Sequence, residues 1–261
     1  MFFFLPYLID IPMRRLPLAN WALILLTCLI SVAMFPALNR WENRASFGVV
    51  LSHGHLEGQY LGDTPGHIID DFILEPGHFR FTQLVGCLFI HAGWAHLLGN
   101  MLFLWLFGNA INARLGHWQF LSLYFASGII SNTCSLLLGP GVASLGASGA
   151  IMGIMGACLI LYPLNDVRCL YVFIIKLGRV EISSYWLLII YFLLDIFGIL
   201  TGGSGIDHIA HISGFLFGAA VLWLLVARDM LPPDGNEENI LQKLGLKALP
   251  ESAPRGRHDP L

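Results

Sequence analysis

The chain has 261 residues; 56% are hydrophobic, only 12% are charged, mean hydropathy is +0.70 and net charge is −3. Soluble domains carry about 25% charged residues, so an ordinary water-soluble globule is excluded and a bilayer is the expected solvent. No basic block offers a surface to nucleic acid, and the five cysteines (Cys28, Cys87, Cys134, Cys158, Cys169) form no CxxC pair and are expected to be buried free thiols.

Residues 1–17 place apolar residues ahead of the pair Arg14-Arg15, and no small-residue cleavage site follows the next apolar run. That is not a leader pattern, so 1–17 is expected to be a cytoplasmic N-terminus and the next run a retained anchor. The window between Arg15 and Arg40 holds no Asp, Glu, Lys or Arg and is long enough for a first span. An acidic outer loop over 39–82, with His53, His55, His67 and His78, is expected to be partly structured. A second charge-free window, Arg80 to Arg114, contains His91 and His96. The next, Arg114 to Asp166, is too long for one helix, and Gly139-Pro140-Gly141 divides it into spans three and four. Residues 167–182 are apolar but interrupted by Arg168, Lys176, Gly178, Arg179 and Glu181, which fits an interfacial element. Tyr185 to Leu200 gives span five, carrying Asp195, and His208 to Ala227 gives span six. The expected fold is therefore an all-α membrane protein: a six-transmembrane-helix bundle over 18–228, followed by a disordered cytoplasmic tail over 229–261 rich in Pro, Gly and charge. Six spans put both termini on one side, which holds 11 Lys and Arg against 3 on the other, so both termini are expected to be cytoplasmic.

Polar groups at membrane depth each need a reason. Ser148 lies in Gly146-Ala-Ser-Gly149-Ala at the start of span four, where free N–H groups favour a developing negative charge. Such small-residue runs also serve as helix-packing surfaces. His211 opens span six with Gly214 and Gly218 on its face, and these can pack against Gly149 and Gly153. A serine hydroxyl needs a base, and a neutral histidine at the same depth can supply it. His96 and Asn100 share a face of span two and can present N–H donors to an oxyanion. A histidine metal site built from His91, His96, His208 and His211 is the rival reading; HExxH does not occur, and Asp207 is the acid beside them. Asp195 reads as a boundary or structural group that could join a triad only by leaving its helix. Spans two, four and six all enter from the outer side, so a single polar site in the outer leaflet accounts for these residues together.

His91-Ala-Gly-Trp-Ala-His96-Leu-Leu-Gly-Asn100-Met, Gly146-Ala-Ser148-Gly-Ala-Ile-Met152-Gly and Ala210-His211-Ile-Ser-Gly-Phe-Leu-Phe-Gly218, in that order, resemble the rhomboid intramembrane serine proteases over about residues 75–227. The resemblance implies a six-helix protease of the bacterial plasma membrane that cleaves transmembrane protein substrates near their outer ends, after small residues, without metal or other cofactor. By it Ser148 is the nucleophile and His211 the base of a dyad lacking an acid. His96, Asn100 and the Ser148 N–H would form the oxyanion hole, and substrates would enter past the fifth helix. Some members carry Tyr where this chain has Met152, and Trp-Arg where it has Phe79-Arg80. A silent client-binding relative is the alternative, disfavoured by the intact Ser/His pair.

Overall fold

A computed structural model describes residues 2–11, 13, 15–47, 49–52, 55–58, 68–139, 141–173, 176–202, 205–231 and 238–246. The charge-free windows become helices because lipid offers backbone N–H and C=O groups no other partner. Strand β1 (Phe2–Ile9) precedes α1 (Leu18–Phe47), which is followed by a short hairpin of β2 (Val49–Ser52) and β3 (His55–Gly58) and then by one helical turn, α2 (Gln83–Gly86). Helices α3 (Trp94–Phe103) and α4 (Asn109–Leu115) continue through a π-helical turn at Leu104–Gly108. Helices α5 (His117–Leu138) and α6 (Ser148–Leu161) follow, then the hairpin β4 (Asp166–Phe173) and β5 (Lys176–Ser183). Helices α7 (Ser184–Thr201), α8 (His208–Ala227) and the short α9 (Ile240–Lys243) complete the order.

Among the described residues, five helical stretches are long and apolar enough to cross a membrane: Leu18–Arg40, Trp94–Leu115, His117–Leu138, Ser184–Thr201 and His208–Ala227. The sixth element of the bundle, α6, has only 14 residues. At about 1.5 Å per residue it is about 21 Å long, less than the about 30 Å hydrocarbon core. It can be short because it stands inside the other helices: every residue from Gly149 to Leu161 is buried. Its main neighbours are α8 and α5.

The π turn is joined to α1 by Asn20, whose amide donates to the Leu104 carbonyl (2.9 Å) and to Asn109 Oδ1 (2.8 Å). A Cβ on Gly108 would lie 2.5 Å from Asn20 Oδ1, so a larger residue there would push this amide off its partners. At the start of α2, Gln83 is 1% exposed and ties the preceding chain together. It donates to the carbonyls of Asp70 and His78 and accepts from the N–H groups of Glu75 and Arg80. Of the loop histidines, His53 and His67 lie outside the described residues, as do Pro140, Arg14, Lys247, Arg255 and Arg257.

Two stretches take sheet structure that the sequence does not specify, and part of the tail expected to be disordered is ordered. The N-terminal segment is a strand: β1 pairs antiparallel with β4, which pairs with β5, giving the order β1-β4-β5. Pro6 is tolerated because β1 is an edge strand and its register slips between Pro6 and Leu8. The element expected at the interface is the β4–β5 hairpin; Arg168 and Glu181 face each other across it and form an ion pair at 2.9 Å. Within the tail expected to be disordered, Asn239 and Gln242 form a capping box and Leu241 is buried, so this turn is held by packing as well as by its cap.

Candidate active site

Helices α3, α6 and α8 bring their N-terminal turns to one end of the bundle, around a cavity of about 250 Å³. Its wall includes Ser148, His211, His96, Asn100, Met152 and Tyr191.

Ser148 is the first residue of α6, and the residue that caps the helix, Ala147, has no side-chain cap bond. The first intrahelical bond runs from Ile151 N to Ala147 O (3.0 Å). The N–H groups of Ser148, Gly149 and Ala150 therefore have no helical acceptor, and they sit at the positive end of the dipole. The approach to this turn is fixed from two sides. Gly146 has φ +120°, a conformation that disfavours any side chain, and a Cβ there would stand 2.9 Å from the His96 ring. Its N–H donates to Cys87 O (2.9 Å). The next N–H, on Ala147, donates to Nε2 of the fully buried His91 (3.3 Å). Because Nε2 accepts, Nδ1 carries the proton and donates to Ser31 Oγ (3.0 Å), which in turn donates to Phe89 O (2.8 Å). His91 is thus a strut between α1 and the entry to α6. It is separate from His208 and His211, so the four-histidine metal set does not assemble.

His96 packs edge-on against His91, ring centroids 4.9 Å apart. Its Nδ1 accepts from Ala92 N (3.3 Å), which assigns the proton of the neutral ring to Nε2 as a donor. Asn100 spends one amide hydrogen on His96 O (2.9 Å) and also lines the cavity.

His211, in the first turn of α8, is not alone. Its Nδ1 lies 3.0 Å from Asp195 Oδ1, and His208 Nδ1 lies 2.7 Å from the same oxygen. This corrects the expectation that Asp195 could reach His211 only by leaving its helix. Asp195 is six residues from the end of α7, about 9 Å, and the first turn of α8, which begins at His208, lies against that part of α7. Two histidines one turn apart, facing a membrane-depth Asp on the preceding antiparallel span, were the available signal. Nothing in the sequence singled out His91 as a strut. Among the described residues, Asp195, His208 and His211 also form a group with ligand atoms all within 4.8 Å. Both nitrogens sit at hydrogen-bonding distance from one carboxylate oxygen; a cation on them would replace these two hydrogen bonds and move each ring's proton to Nε2.

The six glycines of the two helices and their approach do different jobs; a Cβ on Gly156 of α6 would overlap the Phe215 carbonyl of α8. A Cβ on Gly214 would overlap the Gly149 carbonyl, and one on Gly218 the Gly153 carbonyl, so α6 and α8 touch backbone to backbone. The other sides of Gly149 and Gly153 are closed by the hydroxyls of Ser131 and Ser127 on α5. Gly146 alone serves the turn. This contact fixes the lateral distance between the helix carrying Ser148 and the helix carrying His211.

Comparison with known proteins gives a match to the family model described as Rhomboid domain over residues 78–228, more than half of the chain. Among curated proteins, the chain is 36% identical over 146 residues to "Presenilin-associated rhomboid-like protein A, mitochondrial" of Danio rerio, covering 53% of this chain and 36% of that one. It is 32% identical over 147 residues to "Rhomboid-like protein 11, chloroplastic" of Arabidopsis thaliana (55% and 52%). It is 32% identical over 145 residues to "Rhomboid-like protease 3" of Toxoplasma gondii (56% and 52%). The matched region thus spans about a third to a half of each relative.

Proposed function

This chain belongs to the rhomboid family of multi-pass membrane proteins, and from that premise we propose that it is a serine endopeptidase that cleaves transmembrane protein substrates within the lipid bilayer. One observation carries the reading: Ser148, His211, His96 and Asn100 line one cavity beside an uncapped helix N-terminus. In the proposed reaction the Ser148 hydroxyl gives its proton to His211 as Oγ attacks the scissile carbonyl carbon. The oxyanion is met by the free N–H groups of the first α6 turn, by His96 Nε2–H and by the Asn100 amide. His211 then protonates the departing amine, and water repeats the sequence on the acyl-enzyme. No metal or other cofactor enters these steps. Met152 and His211 line the same cavity, which supports the thioether taking the role that the resemblance gives to a Tyr in some members.

The charge bias of 11 to 3 supports cytoplasmic termini and a cavity facing the opposite side. A bacterial plasma membrane is the proposed setting, and the organellar locations named for two relatives are the alternative. Reporter fusions at the C-terminus check the orientation, and an external signal would reverse it.

The deciding experiment is labelling of the purified full chain in liposomes by a fluorophosphonate, with cleavage of a model transmembrane substrate assayed in parallel. Labelling is expected at Ser148 alone. Ser148→Ala and His211→Ala should each lower cleavage by at least about 10³-fold while unfolding at temperatures close to wild type. Cleavage retained in Ser148→Ala would sink the mechanism, and a folded wild type that captures substrate without cutting it would establish the client-binding alternative.

A further inference from the structure

A carboxylate on a membrane-spanning helix is costly unless it is partnered. Asp195 is 7% exposed on an otherwise apolar α7. Its Oδ1 is the point on which two imidazole rings converge, His208 at 2.7 Å and His211 at 3.0 Å, both through Nδ1. The rings stand nearly perpendicular, 86° apart, with centroids at 6.4 Å. Space for this arrangement is reserved in the sequence: a Cβ on Gly198, one turn along α7 from Asp195, would overlap the His208 ring. A carboxylate only accepts, so each Nδ1 must carry its proton. A neutral His211 held in this way has a bare Nε2, the form able to take a proton from Ser148.

We propose that Asp195 is the positioning acid of this site: it accepts the Nδ1–H of His211, fixes the tautomer that leaves Nε2 bare, and holds its charge opposite the imidazolium that forms when Ser148 gives up its proton, with His208 anchoring the carboxylate. The site is then a Ser–His–Asp triad assembled from three membrane helices, α6, α8 and α7. This rests on the serine-protease reading above. The proton travels from Ser148 Oγ to His211 Nε2 and on to the leaving amine; Asp195 stays ionised throughout.

Asp195→Asn tests it in the full chain. The amide can donate to Nδ1 and so stabilise the tautomer with Nε2 protonated, which cannot accept the serine proton. Turnover of a transmembrane substrate should fall at least about 10²-fold with KM within about threefold of wild type, and fluorophosphonate labelling of Ser148 should slow in parallel. A second readout is taken on the wild-type protein. In wild-type protein labelled with ¹⁵N-histidine, His211 should show a hydrogen-bonded, strongly downfield Nδ1 proton resonance; His211→Gln assigns it. A clasp that merely joins α7 to α8 would lower the unfolding temperature of Asp195→Asn and leave turnover per folded molecule intact, and that result overturns the proposal. So does a wild-type spectrum without the Nδ1 resonance, or stoichiometric zinc removed by His208→Gln. A wild type that neither cleaves nor labels overturns both readings; a wild type that does both, with Asp195→Asn unimpaired, overturns this one alone.

Discussion

Helices α6 and α8 touch along their glycine faces, yet their N-termini are finished in opposite ways. The α8 terminus is closed: Asp207 accepts from Ala210 N (3.0 Å) and from the Ser135 hydroxyl of α5. The α6 terminus is left open: Ala147 offers no side-chain oxygen, and its own N–H is held by His91. A cap satisfies orphan donors and stabilises the helix. Leaving the donors free gives up that stabilisation and keeps them available to an anion. The difference separates two tasks within one helix pair, stability at α8 and chemistry at α6.

Three changes break or sharpen that contrast. The largest effect is expected where the two helices meet. Gly218→Val would drive a side chain into the Gly153 carbonyl, and overpacking of a backbone contact should cost about 3 kcal/mol or more. Thermal unfolding in detergent should show a collapse of the folded state, and a wild-type melting curve would mean that the helices do not touch there. Next is the open terminus. Gly146→Ala forces a side chain onto φ +120° and against His96, with a strain of about 1–3 kcal/mol. Labelling of Ser148 should slow by more than about tenfold, a larger loss than the change in melting temperature explains; equal losses would show that the turn is only structural. The smallest is at the closed terminus. Asp207→Ala should lower stability by about 1–2 kcal/mol and Asp207→Asn by less, with labelling per folded molecule kept. If Asp207→Ala instead removed activity without loss of stability, the division of labour between the two termini would be wrong.

Much of the bundle is legible in the sequence because charge is excluded from lipid. The window after Arg15 corresponds to the stretch Leu18–Arg40 of α1, although the helix runs on to Phe47 into the expected loop, and Tyr185 to Leu200 differs from α7 by one residue at each end. The candidate site is legible for a related reason: Ser148, His211, His96 and Asn100 are polar residues at similar depth, and they share one cavity. Strand pairing between residues near 5 and residues near 170 is not legible, since partners so distant in sequence leave no local period, and Pro6 reads against a strand. His91 and Asp195 were underestimated for the same reason. Each looks like an isolated polar residue until its partner, Ala147 N or the His211 ring, is brought beside it.

By itself the sequence determined that this chain lives in a membrane, where its spans lie, and which small and polar residues gather at one end. These follow from transfer energies and helical spacing, which act residue by residue. Only the tertiary structure decided that α6 is a short internal helix with an open N-terminus, that glycines set its distance from α8, and that Asp195 of α7 meets His211. Those depend on distances between elements, which are fixed by packing and hydrogen-bond geometry across the fold.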